Sequence, residues 1–283
     1  RHTGDVLFRK QTEYQKVEVI DTFAYGKMLT LDDYVMTTEK DEFAYHEMLI
    51  HPAGQLHGDV KDVLIIGGGD GGIVREALRY PGVERVVLVE IDAAVIEASR
   101  EHLPSIAGKL NAPRVDFLNM EGAQYVSEAS VGSCDLLIVD STDPSAISDT
   151  LFGEKFYANS ARVLRDEGYF AAQSESPRYH TDMFVKVNRQ LRAVFGDHNT
   201  HTYLLHIPTY PSGLWSMTIA AKHDFQPRKT LNISKADAFA AEHGLKYYNA
   251  DVHQAAFALP NYVRAILNQI PAGEPQMQPH GQH

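Results

Sequence analysis

Two hydrophobic textures meet in this chain. Up to about Thr38 it is rich in β-branched and aromatic residues, and Val17 and Val19 alternate with polar neighbours. A period of two puts every second side chain on one face of a strand. Tyr25-Gly26-Lys27 and Asp32-Asp33 are turn signals, so this stretch predicts short antiparallel strands or hairpins. Glu42 to His51 (EFAYHEMLIH) predicts a helix.

From Asp62 apolar runs alternate with helical spacing. Val63–Ile66 predicts a buried strand, followed by a glycine run and a helix near Ile73–Leu78. Strands are expected at Arg85–Val89, Val115–Leu118, Asp135–Val139 and Tyr169–Ala172, and helices at Ala93–His102, Ala123–Ala129 and Glu154–Leu164. A further helix places Phe184, Val187, Leu191 and Phe195 on one face, and strand signals recur at Tyr203–Ile207 and Trp215–Ala221. Strands alternating with helices imply βαβ units and a mostly parallel sheet. The last two strands have no helix between them, so they are expected to pair antiparallel.

Composition narrows the class. The 283 residues are 44% hydrophobic and 22% charged, long enough for a sizeable core and ordinary for a globular protein. No apolar run approaches the roughly 18–20 residues of a membrane span, so no membrane partner is expected. The single cysteine, Cys134, excludes an internal disulfide; a buried inert thiol and a reducing cytoplasmic setting are expected. The net charge of −11 argues against nucleic acid and for cationic ligands. From Pro271 the chain is polar and proline-rich, which predicts a surface tail.

Four stretches carry candidate chemistry. Gly67-Gly68-Gly69-Asp70-Gly71-Gly72 lies between a predicted strand and a predicted helix, and Glu90 closes the next strand. Glycines there allow a tight turn and close ligand approach, and an acid at that strand end accepts ribose hydroxyls. The alternative is a plain glycine turn with a surface Glu. Asp70 is ill placed for a pyrophosphate and suits a cation, such as a sulfonium nucleoside with an ammonium tail. Asp140-Ser141-Thr142-Asp143-Pro144 follows a strand, where two acids can hold an amine or take its proton, or merely form a turn. Pro208 to Gly213 is a rigid turn bearing Tyr210. His46-Glu47 with His51 is one residue too long for two histidines on one helix face, and no metal site is expected.

Together these stretches resemble the spermidine synthase family, the polyamine aminopropyltransferases. The resemblance runs from about Gln11 to about Asn268. It rests on Tyr14-Gln15, the LDxxxxTTExDEFxYHEM stretch from Leu31, GGGDGG, VEID at Val89–Asp92, DSTDP from Asp140, IPTYPSG at Ile207–Gly213 and YYNxDVHxAAFxLP at Tyr247–Pro260. It implies an α/β fold: a seven-stranded methyltransferase-like Rossmann domain over 58–270, preceded by a small antiparallel β-domain over 1–57, with a polar tail over 271–283. It implies transfer of the aminopropyl group of decarboxylated S-adenosylmethionine to a diamine, most simply putrescine, giving spermidine and methylthioadenosine. The sulfonium nucleoside is a co-substrate, and no cofactor or metal is implied. Motif matching puts proton removal on Asp140. It puts the amine against Tyr45, His46, Asp70, Ser141, Asp143 and Tyr210, and the nucleoside against Gln15, Gly67, Asp70, Glu90, Glu121, Gly122 and Ile147. A homodimer or homotetramer is implied.

Three departures surround the donor. The family's LDGxxQ is Leu31-Asp32-Asp33-Tyr34-Val35-Met36, its Asp-Gly is Glu121-Gly122, and its D-P-x-G-P is Asp143-Pro144-Ser145-Ala146-Ile147. They motivate an alternative, a methyl or aminocarboxypropyl transferase using S-adenosylmethionine; a non-catalytic polyamine-binding homologue is a third. The sequence leaves acceptor length open. Gln173 to Tyr179 is expected to border the amine pocket, with Glu175 either binding a far ammonium or lying in solvent.

Overall fold

The computed structural model describes residues 4–141, 149–151 and 153–270. The first four strands are β1 (Gly4–Gln11), β2 (Lys16–Thr22), β3 (Gly26–Leu31) and β4 (Tyr34–Thr38), an antiparallel meander in chain order. The β3–β4 hairpin turns on Asp32 and Asp33, both at positive φ (49° and 70°). Two left-handed residues match the twist of the flanking strands, and Asp tolerates that conformation better than most side chains. The Asp32 carboxylate also accepts the Lys16 backbone N–H at 2.8 Å, fixing the turn against β2.

Seven strands follow: β5 (Asp62–Gly67), β6 (Arg85–Glu90), β7 (Val115–Asn119), β8 (Cys134–Asp140), β9 (Leu164–Gln173), β10 (Thr200–His206) and β11 (Leu214–Ala221). They form one sheet in the order β10-β11-β9-β8-β5-β6-β7. Every neighbour pair is parallel except those of β11, which runs antiparallel to both β9 and β10. The expected α/β class, the small sheet ahead of it and the antiparallel final pair are all found. The strand order reverses between β5 and β8, and such a switch point opens a crevice at the carboxyl ends of the strands.

The helices are α1 (Glu42–His57), α2 (Gly72–Ala77), α3 (Ala93–His102), α4 (Pro104–Ala107), α5 (Gly122–Glu128), α6 (Glu154–Val163), α7 (Thr181–Phe195), α8 (Pro227–Thr230), α9 (Ile233–His243), α10 (Ala250–Ala256) and α11 (Asn261–Asn268). Alternate residues of β5 serve two cores. Val63 and Ile65 face α1, α2 and the carboxyl-terminal helices, while Leu64 and Ile66 face the layer that holds Val126, Phe156, Val187 and Leu191. The small sheet buries Val17, Val19, Leu29 and Leu31 against Ala94, Val95 and Ala98 of α3. Leu29 and Leu31 also line the crevice.

Helix α1 carries Pro52, which has no N–H to donate to the carbonyl of Met48. The buried Tyr203 hydroxyl of β10 donates to that carbonyl at 2.8 Å instead. The proline thereby ties α1 to the large sheet, and the buried side of α1 is part of the large core. The division expected after residue 57 falls at the end of this helix, whereas the small sheet itself ends at Thr38. Two differences from the sequence expectation concern length. Strand β9 begins at Leu164 rather than Tyr169, and four short helices follow β11 where no elements were expected. Cys134 is buried, and burial pushes its thiol well up from the ordinary value. No described helix is long and apolar enough to cross a membrane. The expected tail, 271–283, lies outside the described residues.

Candidate active site

Strand β5 ends on Gly67 at φ 78°. A Cβ there would lie 2.1 Å from the Asp140 carbonyl oxygen, and the next N–H, of Gly68, donates to that carbonyl at 3.0 Å. The glycine run is therefore what lets the first loop lie on the end of β8. Gly72 has a similar role, because a Cβ on it would meet the His46 ring at 2.1 Å. The result is a cleft with about 1060 Å³ of empty space, counted to its open mouth, at the switch point of the sheet.

The acid end of the cleft is built by three elements. Asp140, the last residue of β8, accepts the Tyr45 hydroxyl of α1 at 2.8 Å. Burial and the neighbouring Asp70 push the Asp140 carboxyl up to about 6, against the opposing pull of His46 and the Tyr45 hydrogen bond. Burial, and the Asp140 charge beside it, hold the Tyr45 phenol well above its ordinary value, so it remains a donor. Asp70 accepts the Gly72 N–H at 2.8 Å through Oδ1, and its Oδ2 lies 3.1 Å from His46 Nε2. His46 Nδ1 lies 2.5 Å from Glu42 Oε2. Burial alone would lower the His46 pKa; Asp70 and Glu42 outweigh it and hold it well above the ordinary value. Tyr210 faces Tyr45 with ring centroids 6.0 Å apart, its hydroxyl donating to the Met36 carbonyl at 2.9 Å.

The other end is walled by Gln15, Glu90 and Glu121. Glu90 closes β6 and accepts the Asp92 N–H at 2.9 Å; burial pushes its carboxyl up to about 7. Gln15 reaches the same wall and donates to Asp92 at 3.2 Å, and Thr12 donates to it at 2.9 Å. Asp92 thus clamps the loop after β1 to the start of α3. Glu121 caps α5 through the Gln124 N–H at 2.9 Å and accepts the Thr150 hydroxyl at 2.7 Å. Gly122 is packed so closely on Ile66 that a Cβ would lie 2.3 Å from it. Ser141 lines the cleft with its hydroxyl oxygen buried and unpartnered among the described residues.

The structure thus brings together, around one cleft, Gln15, Tyr45, His46, Gly67, Asp70, Glu90, Glu121, Gly122, Asp140, Ser141 and Tyr210. Asp143 and Ile147, also expected there, lie outside the described residues. Glu175 is fully buried, at φ 67°, with His180 Nδ1 at 2.7 Å and the Gln173 amide at 3.3 Å. The solvent alternative for Glu175 is therefore ruled out. Residues 173–179 do not line the cleft as it is formed by the described residues.

Sequence reasoning missed Glu42, Arg75 and Asp41. Glu42 carries a usable signal, four residues before His46 on one helix face. Arg75 forks onto Glu42, Nη1 to Oε1 at 3.0 Å and Nη2 to Oε2 at 2.8 Å. Asp41 accepts the Thr209 N–H at 3.1 Å and its hydroxyl at 2.7 Å, holding the Tyr210 turn over the cleft. His46, Asp70 and Asp140 offer ligand-type atoms within 4.8 Å of one another. Two carboxylates set side by side suit an ammonium group, which brings both positive charge and N–H donors.

Residues 42–232 match the model of the spermine/spermidine synthase domain, and residues 4–39 match the spermidine synthase tetramerisation domain. A polyamine aminopropyltransferase of Bacillus subtilis is 42% identical over 261 residues, 92% of this chain and 91% of that protein. One from a Thermoanaerobacter species is 40% identical over 267 residues, covering 94% and 93% respectively. A crystal structure of spermidine synthase in complex with the transition state analogue AdoDATO superposes with a TM-score of 0.88 at 42% identity, over 93% of this chain and 88% of that one. The spermidine synthase of Thermotoga maritima gives 0.87 at 42% identity, over 93% and 87%.

Proposed function

The chain belongs to the spermine/spermidine synthase family and is a polyamine aminopropyltransferase, and on that premise we propose that it transfers the aminopropyl group of decarboxylated S-adenosylmethionine to putrescine, giving spermidine and methylthioadenosine. The observation that carries this reading is the Asp140 carboxylate, held by Tyr45 at the mouth of β8 and facing the same cleft as Asp70 and Glu90.

The chemistry follows from charge. An alkyl ammonium has a pKa of about 10 and no lone pair while protonated. Asp140 takes its proton, and the freed nitrogen forms a bond to the methylene carbon next to the sulfonium. The carbon–sulfur bond breaks, its electron pair stays on sulfur, and neutral methylthioadenosine leaves. The sulfonium is already an activated leaving group, so the protein mainly aligns two cations and supplies one base. In this reading Tyr45, His46, Ser141, Asp143 and Tyr210 surround the amine. Glu90 and Gln15 hold the ribose side, Glu121, Gly122 and Ile147 the base, and Asp70 with Gly67 the aminopropyl arm. Residues 4–39 support an oligomer; we read it as a homodimer or homotetramer, in a cytoplasmic setting.

Incubation of the protein with the decarboxylated donor and a panel of putrescine, cadaverine, agmatine and spermidine, followed by mass analysis, tests this. A gain of one aminopropyl group, fastest on putrescine, is expected. A gain of one methyl group, or no product with any amine, would overturn the transfer. A faster reaction with another amine would overturn the acceptor.

A further inference from the structure

His46 stands in a line of alternating charge that enters the cleft from α2. Arg75 forks onto both oxygens of Glu42, and its Nε lies 2.7 Å from the fully buried Glu76. Glu42 meets His46 Nδ1, and His46 Nε2 meets Asp70. The Asp140 carboxylate closes the line, its ligand atom within 4.8 Å of those of His46 and Asp70. The groups facing the imidazole are therefore Glu42 and Tyr45 from α1, Asp70 from the loop after β5 and Asp140 from β8, with Arg75 of α2 behind Glu42.

Hydrogen-bond accounting fixes the protonation. The Arg75 fork requires ionised Glu42, so Nδ1 must carry a hydrogen. If the ring were neutral, the Nε2 lone pair would face a carboxylate oxygen at 3.1 Å, which is repulsive unless Asp70 is protonated. A hydrogen between Nε2 and Asp70 Oδ2 belongs on the imidazole, the more basic of the two groups, and Asp70 Oδ1 meanwhile accepts the Gly72 N–H. With hydrogens on both nitrogens every contact is an attraction.

Resting on the aminopropyl-transfer reading above, we propose that Glu42 is a positioning residue which keeps His46 as a buried imidazolium, and that this cation is what allows Asp70 and Asp140 to be ionised side by side. Two carboxylates this close otherwise share a proton, and an Asp140 holding that proton cannot take one from the amine. Glu42 thus acts on the base through His46, without touching the amine. Consistent with this, His46 and Arg75 hold the Glu42 carboxyl down at about 2 despite its burial.

The test uses the full-length protein with isotope-labelled histidine, the His46 ring resonance being assigned by its loss in His46→Gln. In the wild type it stays imidazolium well above neutral pH; in Glu42→Gln it titrates at lower pH, nearer the ordinary histidine range. The acid limb of the single-turnover rate moves up by about one pH unit in Glu42→Gln, a roughly tenfold loss below the limb, with the alkaline plateau less affected. Glu42→Asp keeps the charge but withdraws the oxygen, and gives the same shifts at smaller size if the glutamine variant does not fold. Three results overturn the proposal: wild-type His46 titrating near neutrality, an unchanged His46 titration in both variants, or a rate loss equal at every pH. A wild type without turnover but with a persistent imidazolium would overturn the transfer reading instead.

Discussion

The Tyr45 hydroxyl donates to the Asp140 carboxylate at 2.8 Å, joining the first helix to the end of the central strand β8 across 95 positions of sequence. Neither residue is special alone. Their union places a permanent donor against the buried carboxylate that, in the proposed reaction, takes the proton of the amine.

Asp140→Asn keeps the shape and removes the proton acceptor. Turnover is expected to fall by about 10²–10⁴-fold, with the dissociation constant for methylthioadenosine changed by no more than a few-fold. Calorimetric titration beside steady-state kinetics separates the two. Near wild-type turnover would remove Asp140 from the mechanism, and loss of nucleoside binding would make its role structural.

Tyr45→Phe shifts the pH profile. The active form of Asp140 is the carboxylate, present above its value of about 6. The Tyr45 hydrogen bond favours that form, so its removal raises the Asp140 pKa and carries the acid limb of kcat to higher pH. A limb that stays in place while kcat falls uniformly would assign Tyr45 to amine positioning alone.

Much of this was legible in the sequence, and the limits are physical. The buried parallel strands announce themselves as apolar runs, as at Val63–Ile66, because both faces of the sheet are covered. The carboxyl-terminal helices α8 to α11 did not, since they are only four to eleven residues long, and an apolar pattern over so few turns does not stand apart from a loop. The cleft acids were readable from strand ends and glycine spacing. The pairing of Asp70 with His46 was not, because it depends on Gly72 leaving room for a ring 26 residues earlier, a fact of tertiary packing. The substitution of Asp for Gly at position 33 is accommodated by a left-handed aspartate held by Lys16 at 2.6 Å, which sequence alone shows only as a departure.

In the proposed reaction, donor choice rests on Asp70. Its carboxylate would meet the carboxylate of intact S-adenosylmethionine, a like-charge contact costing on the order of a few kcal/mol in a partly dry site. Side-by-side kinetics should show strong preference for the decarboxylated donor, and Asp70→Asn should narrow it, chiefly by slowing the preferred donor. Equal use of both donors by the wild type would sink this account.

Burial of the Glu90 carboxyl costs stability above neutral pH. Its folded-state carboxyl sits at about 7 against an ordinary 4.5. Between those values the folded chain holds the extra proton, so this residue's contribution to stability declines as pH rises from about 4.5 to 7 and stays unfavourable above that. Glu90→Gln should therefore be more stable than wild type at pH 8, by about 3 kcal/mol, and as stable as wild type at pH 4, while binding nucleoside more weakly. A variant less stable at pH 8 would show that the carboxylate is compensated by contacts other than ligand.

Glu47 is buried next to His46 on α1 and turns away from the cleft. Its Oε1 accepts the Lys246 N–H at 2.9 Å, and its Oε2 accepts those of Tyr247 and Tyr248 at 2.8 Å each. One carboxylate thus satisfies three backbone donors of the carboxyl-terminal segment and fixes α1 from behind. Glu47→Gln replaces one acceptor oxygen with an amide that faces N–H groups, leaving donors unpaired. A loss of about 2–3 kcal/mol is expected, read as a melting temperature several degrees lower, with faster hydrogen exchange at residues 246–248. Because α1 also carries Tyr45 and His46, turnover should fall with heating sooner than in the wild type. Unchanged exchange at those amides would mean that packing, and not this carboxylate, holds the segment against the helix.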